Sequence, residues 1–197
     1  MASIFHVGPD LFRQLWERNR GLYDRGDLAP RTYWSKLAED AKVNLAPEQL
    51  EQLFRWDVEI WAHPNPAMVE WLRQTHASGM KTAILSNMHS DMIRYARKNF
   101  AWLNYFDHHT FSAEVRLIKP DPAIYEHSLR GLEVAAPEAL FVDDREPNIN
   151  VAQALGIRTI HFRSMAQFRS DLEKLGFPIL PVDGNLSSSA SQASIES

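Results

Sequence analysis

The sequence predicts an α/β protein: a parallel sheet covered by helices on both faces, with an all-helical insert after the first strand. Two patterns carry that prediction. After Pro66 short apolar runs alternate with stretches whose apolar residues recur every three or four positions, whereas from Asp10 to about Ile60 only the helical spacing is present. Composition agrees, since 45% hydrophobic and 23% charged residues in 197 supply enough apolar material for a full core with a small insert.

The elements follow in order. Ser3 to His6 reads as one brief strand, closed by the turn signal Gly8-Pro9. A first helix spans Asp10 to about Arg25, with Asp10 as its cap and Leu11, Phe12, Leu15, Trp16 and Leu22 on its apolar face. A second starts at Pro30 and presents Tyr33, Trp34 and Leu37. A third starts near Pro47 and presents Leu50, Leu53, Phe54 and Val58. Beyond His63-Pro64-Asn65-Pro66 the expected order is helix 67–77, strand 82–85, helix 90–100, strand 109–111, helix 122–132, strand 139–142, helix 147–155, strand 158–162 and helix 165–175. The domain reading is a core of residues 1–9 and 64–183, a helical cap of 10–63, and a Ser/Ala-rich disordered tail of 184–197. An insert after the first strand lies above the C-terminal edge of the sheet, where open α/β sheets bind ligands.

Several function classes fall away. The net charge is −4 and the basic residues form no stripe, so a nucleic acid partner is not expected. With no cysteine there is no disulfide, thiolate metal site or cysteine nucleophile. The apolar runs are strand-sized, too short to span a membrane, and Met1 to Gly8 has no signal-peptide pattern, so the cytoplasm is the expected location.

Three places at strand C-termini can carry chemistry. Ser86-Asn87 follows the strand 82–85; the hydroxyl and the turn N–H groups suit an anion, or the pair simply begins the next helix. Lys119 stands in Ile118-Lys119-Pro120-Asp121-Pro122, a rigid turn that either aims one positive charge at a phosphate or carboxylate or leaves a solvated lysine before a helix. Asp143-Asp144 ends the strand 139–142. Adjacent carboxylates repel unless a cation joins them, and Mg²⁺ accepts one or two carboxylates plus waters and substrate oxygens; the alternative is a helix cap.

In that order, Leu85-Ser86-Asn87, Ile118-Lys119-Pro120-Asp121-Pro122 and Phe141-Val142-Asp143-Asp144-Arg145-Glu146-Pro147-Asn148 resemble the haloacid dehalogenase-like hydrolases, in particular the phosphatase branch with a small helical cap. The resemblance implies a Rossmann-like sheet in the order 3-2-1-4-5, with a nucleophilic aspartate at the end of the central first strand. It implies that Ser86, Asn87 and Lys119 hold the transferred phosphoryl group, that Asp143 and Asp144 hold Mg²⁺, and that Asn148 braces the metal loop. The first motif departs from the family: Ile4-Phe5-His6-Val7-Gly8 places His6 where the nucleophile belongs, and Gly8 offers only a backbone carbonyl for metal where the second aspartate would stand. Imidazole does not replace a carboxylate toward Mg²⁺. The expected activity is therefore hydrolysis of a small organic phosphate, reduced or abolished by His6. A non-catalytic anion-binding or homodimer-forming protein, and a 2-haloacid dehalogenase-type hydrolase, are the alternatives. Trp16, Trp34, Trp56 and Trp61 in the insert pack it or form an apolar lid.

Overall fold

The computed structural model describes residues 1–177. The expected tail 184–197 and the last residues of the expected core lie outside the described residues.

Helices dominate, and their starts are set by proline. α1 (Pro9–Arg18), α3 (Pro30–Ala41), α4 (Pro47–Glu59), α5 (Pro66–Ala77) and α8 (Pro122–Leu132) each carry it in the first two positions, where the missing N–H costs no bond. Asn65, Asp121 and Ser164 add side-chain caps to α5, α8 and α10 (Met165–Lys174). The long first helix expected over 10–25 is broken at Asn19 into α1 and the short α2 (Arg20–Asp24), and its cap is Gly8, with Asp10 in the first turn.

The strands are β1 (Ala83–Ser86), β2 (His108–Phe111), β3 (Leu140–Asp143) and β4 (Arg158–His161). All pair in parallel, β1 with β2 (Leu85 opposite Thr110) and β3 with β4 (Val142 opposite Ile160). Between and after them run α6 (Ser90–Asn99), α7 (Ser112–Val115) and α9 (Glu146–Ala154), so helices and strands alternate as parallel pairing requires.

The first strand is corrected by this structure, while the β1-β2 and β3-β4 pairs are the two outer pairs that the order 3-2-1-4-5 contains. Ala2–Phe5 is a 3₁₀ turn, not a strand, and the two parallel pairs do not hydrogen-bond to each other. The reason lies in Phe5. Its ring is fully buried among the helices, 5.5 Å from Phe12 and 6.1 Å from Trp34, and Ile4 joins the same cluster with Leu15, Tyr23, Tyr33, Leu37, Leu50 and Leu53. His6 then adopts left-handed backbone (φ 52°) to reach the Pro9 helix start. Residues 2–5 therefore pack with the helices they were expected to precede.

Candidate functional site

The C-terminal ends of β1 and β3 meet at one lysine. The Lys119 ammonium donates to the Asp143 carboxylate (Nζ to Oδ2, 2.6 Å) and to the carbonyl of Leu85 at 2.8 Å, with both side chains largely buried. Its backbone is fixed by Asn87, whose amide accepts from the Lys119 N–H at 2.8 Å and donates to the Lys119 carbonyl at 2.9 Å. Lys119-Pro120 is a cis peptide. Asn87 thus spends its amide on holding the lysine loop. Ser86, beside it at the end of β1, is half-buried, and among the described residues its hydroxyl has no hydrogen-bond partner.

Asp143 is equally well held. Its other oxygen accepts from the Arg145 N–H at 2.8 Å and from Asn148 Nδ2 at 2.9 Å, and Tyr125 in turn donates to the Asn148 carbonyl at 3.0 Å. Burial, and then Asp143 nearby, push the Tyr125 phenol up, which keeps that donor protonated. Asp144 is exposed, its carbonyl contacts His161 Nε2 at 3.0 Å, and its carboxylate has no partner among the described residues.

The structure thus brings Ser86, Asn87, Lys119 and Asp143 together, with Asp144 at the rim. His6 closes the N-terminal 3₁₀ turn and Gly8 precedes α1, and among the described residues neither shares a hydrogen bond or ion pair with those five.

The fit of Mg²⁺ can be judged from the donors. Asp144 offers a free carboxylate and Asp143 a carboxylate with most of its lone pairs engaged, and no group of three or more His or acidic residues converges among the described residues. Mg²⁺ characteristically takes one or two carboxylates and fills its shell with water and phosphate oxygens, so Asp143 and Asp144 are of the donor type that such an ion accepts.

Sequence reasoning missed a second polar cluster, where the helical unit meets the core beside the Ser86 loop. Arg20 donates to the fully buried Asp57 at 2.7 Å and lies 2.9 Å from Asp24, its guanidinium 4.5 Å over the Trp16 ring. Tyr23 stacks on His89 at 4.6 Å, with its hydroxyl 3.0 Å from Nδ1. Gly26 (φ +81°) approaches Ala113 so closely that a Cβ would sit 2.8 Å from its carbonyl oxygen. No motif flags Arg20, Asp57 or His89, and on helices that also carry solvated charges nothing in the sequence sets Arg20 and Asp57 apart.

Comparison with known proteins places the chain. Residues 31–162 match the model of the haloacid dehalogenase-like hydrolases, and the chain belongs to that family. It is similar to a sesquiterpene phosphatase of Aspergillus oryzae, 25% identical over 175 residues, which cover 88% of this chain and 85% of that protein. It is also similar to (S)-2-haloacid dehalogenase 1 of Pseudomonas sp. (strain CBS-3), 32% identical over 102 residues; the match covers 52% of this chain and 44% of the dehalogenase. A haloacid dehalogenase family enzyme of Bacteroides thetaiotaomicron, solved with magnesium and inorganic phosphate, shares the fold at TM-score 0.59 and 20% identity, over 79% of this chain and 85% of that one. No helix among the described residues is long and apolar enough to cross a membrane.

Proposed function

We propose that the chain binds a small organic phosphate between Ser86 and Lys119, on the scaffold of a Mg²⁺-dependent phosphatase with little or no turnover. The observation that carries this reading is the buried Lys119 ammonium, fixed by Leu85, Asn87 and Asp143 at the C-terminal ends of two parallel strands. Ser86 contributes a hydroxyl and the following turn contributes N–H groups, while Lys119 supplies charge in a partly desolvated place where it acts strongly. Asp143 and Asp144 would hold Mg²⁺, which neutralises phosphoryl charge. The similarity to a sesquiterpene phosphatase over most of both chains supports phosphate chemistry.

The nucleophile is the weak link. Among the described residues the only carboxylate paired with Lys119 is Asp143, and His6 closes a 3₁₀ turn instead of ending a central strand, so neither supplies the covalent nucleophile that the resemblance calls for. Binding should therefore outlast turnover. The test is hydrolysis of p-nitrophenyl phosphate with Mg²⁺, by this chain and by His6→Asp. Both should turn over little, because residue 6 closes a 3₁₀ turn packed with the helices and does not end a strand beside β1 and β3. Fast hydrolysis by the unmodified chain, or a large gain in the variant, would overturn the reading.

A dehalogenase-type reading has a specific observation too, the 32% identity to a 2-haloacid dehalogenase. Lys119 would hold a substrate carboxylate as readily as a phosphate. The Asp143-Asp144 pair favours the metal-dependent phosphatase.

A further inference from the structure

Where β2 packs on α8, outside the anion site, two histidines meet. His108 Nε2 and His127 Nδ1 are both buried, and neither has a hydrogen-bond partner among the described residues. Their placement follows from the two backbone periodicities. On β2, His108 shares a face with Thr110, whose buried hydroxyl is also unpartnered; His109 points the other way, with Nε2 3.0 Å from the Leu103 carbonyl. On α8, His127 and Gly131 stand four apart and so share one face. The His108 ring rests on that face. A Cβ on Gly131 would sit 2.1 Å from His108 Cε1 and 2.2 Å from Nε2, so glycine alone leaves room for the imidazole. The two rings are 6.0 Å apart, centre to centre, and tilted by 39°.

The donors decide what such a pair accepts. Burial first, then His127 and His109, lower the His108 pKa, so its ring is neutral near pH 7 and offers a lone pair. Mg²⁺ prefers oxygen, whereas Zn²⁺ takes imidazole nitrogen. With zinc–nitrogen bonds of about 2.0–2.1 Å, two imidazoles on one ion stand with ring centres roughly 5–6 Å apart. The observed pair falls at the wide end of that range. Gly131 lies in the last turn of α8, where the backbone carbonyls favour a cation. The neighbouring positive side chains are engaged: Lys81 donates to the Leu132 carbonyl at 3.0 Å, and Arg130 lies 3.9 Å from Glu126. Both histidines are half-buried, so the pair is reached from solvent.

We propose that His108 and His127 form a zinc site of modest affinity that ties β2 to α8. Water completes the shell of the ion, and Thr110 Oγ1 is the unpartnered acceptor on the same face of β2. The site is independent of the anion-binding reading of Ser86 and Lys119.

The experiment is calorimetric titration of the whole chain with ZnCl₂ at pH 7, in excess Mg²⁺ to occupy the Asp143 and Asp144 carboxylates. One saturable equivalent is expected. His127→Phe, which keeps a ring but no nitrogen, should weaken zinc about tenfold or more. Gly131→Ala should do the same, since it keeps all eight histidines but pushes the His108 ring aside. His109→Phe, on the opposite face of β2, should bind zinc as the unmodified chain does. Zinc should also raise the thermal midpoint of the unmodified chain and not that of His127→Phe. If the variants do not fold, imidazole nitrogen NMR of the unmodified chain decides: zinc should shift the His108 and His127 nitrogens together, and shifts at other histidines without these would refute the site. No saturable binding by the unmodified chain, or equal affinity in His127→Phe, would overturn the proposal, the latter marking an adventitious ion only.

Discussion

The helical unit and the sheet unit of this chain bury their apolar residues differently. In the first, one continuous cluster joins Phe5, Tyr23, Tyr33, Trp34, Leu37 and Leu53, each nearly or wholly inaccessible. In the second, three smaller clusters share the work, and every residue of β1 and β3 is only half-buried. A helix satisfies its own backbone and needs only a stripe to cover, whereas a strand needs a neighbour on each side. β1 and β3 each have one strand neighbour, and polar side chains, chiefly Lys119, join their ends.

That contrast can be tested by substitution. The largest effects should come from Phe5→Ala and Lys119→Met. Phe5→Ala opens a cavity in the continuous cluster and should cost about 3–5 kcal/mol in urea unfolding, while Val142→Ala in half-buried β3 should cost only about 1 kcal/mol. Equal losses would mean that the N-terminal turn is not part of the helical core. Lys119→Met leaves the buried Asp143 carboxylate without its counter-charge and should cost about 3–5 kcal/mol; breaking the exposed Arg18–Asp40 pair should cost less than about 1 kcal/mol.

A smaller effect sharpens the junction between the units. Gly26→Ala meets both a positive φ and the Ala113 carbonyl, so a loss of about 1–3 kcal/mol in thermal or urea unfolding is expected. No loss would mean that α2 is not seated on α7.

The pH dependence separates two groups of opposite sign. Burial first raises Asp24 to about 6, despite Arg20, so the folded state holds its proton where the unfolded state has lost it; its stabilising share fades as pH rises through 6. His89 works the other way: with its folded pKa near 3, its share is present above the unfolded value near 6.5 and is lost as pH falls toward 3. Between pH 4 and 6 the two slopes oppose. Asp24→Asn should therefore steepen the loss of stability on acidification, and His89→Gln should flatten or reverse it. Identical profiles in both variants would contradict the burial of this cluster.

Much of this was legible in the sequence. Pro30, Pro47 and Pro122 announce helix starts because proline fixes φ and lacks a donor, and Asp121 caps α8 as its side chain suggests. The parallel pairs follow from β-α alternation. Ala2–Phe5 was misread because a four-residue apolar run fits a strand or a turn equally; the choice is made by Phe12 and Trp34, which Phe5 meets only in the folded chain. At the site, Lys119 and Asp143 stood out by their neighbours, but the role of Asn87 as a clamp on the lysine backbone depends on a contact 32 residues away. Asp57 is hidden for the same reason: beside Trp56 on an amphipathic helix it resembles a solvated face residue, and its partner Arg20 is 37 residues distant.

The central claim is that the anion site lies at the ends of β1 and β3 and does not include the N-terminal turn. Amide NMR shifts during titration with inorganic phosphate test it most directly. The Ser86, Asn87, Met88 and Lys119 amides should shift together and saturate on one curve, with His6 and Gly8 unmoved. Saturable shifts at His6 and Gly8, or none at Ser86 and Lys119, would contradict it.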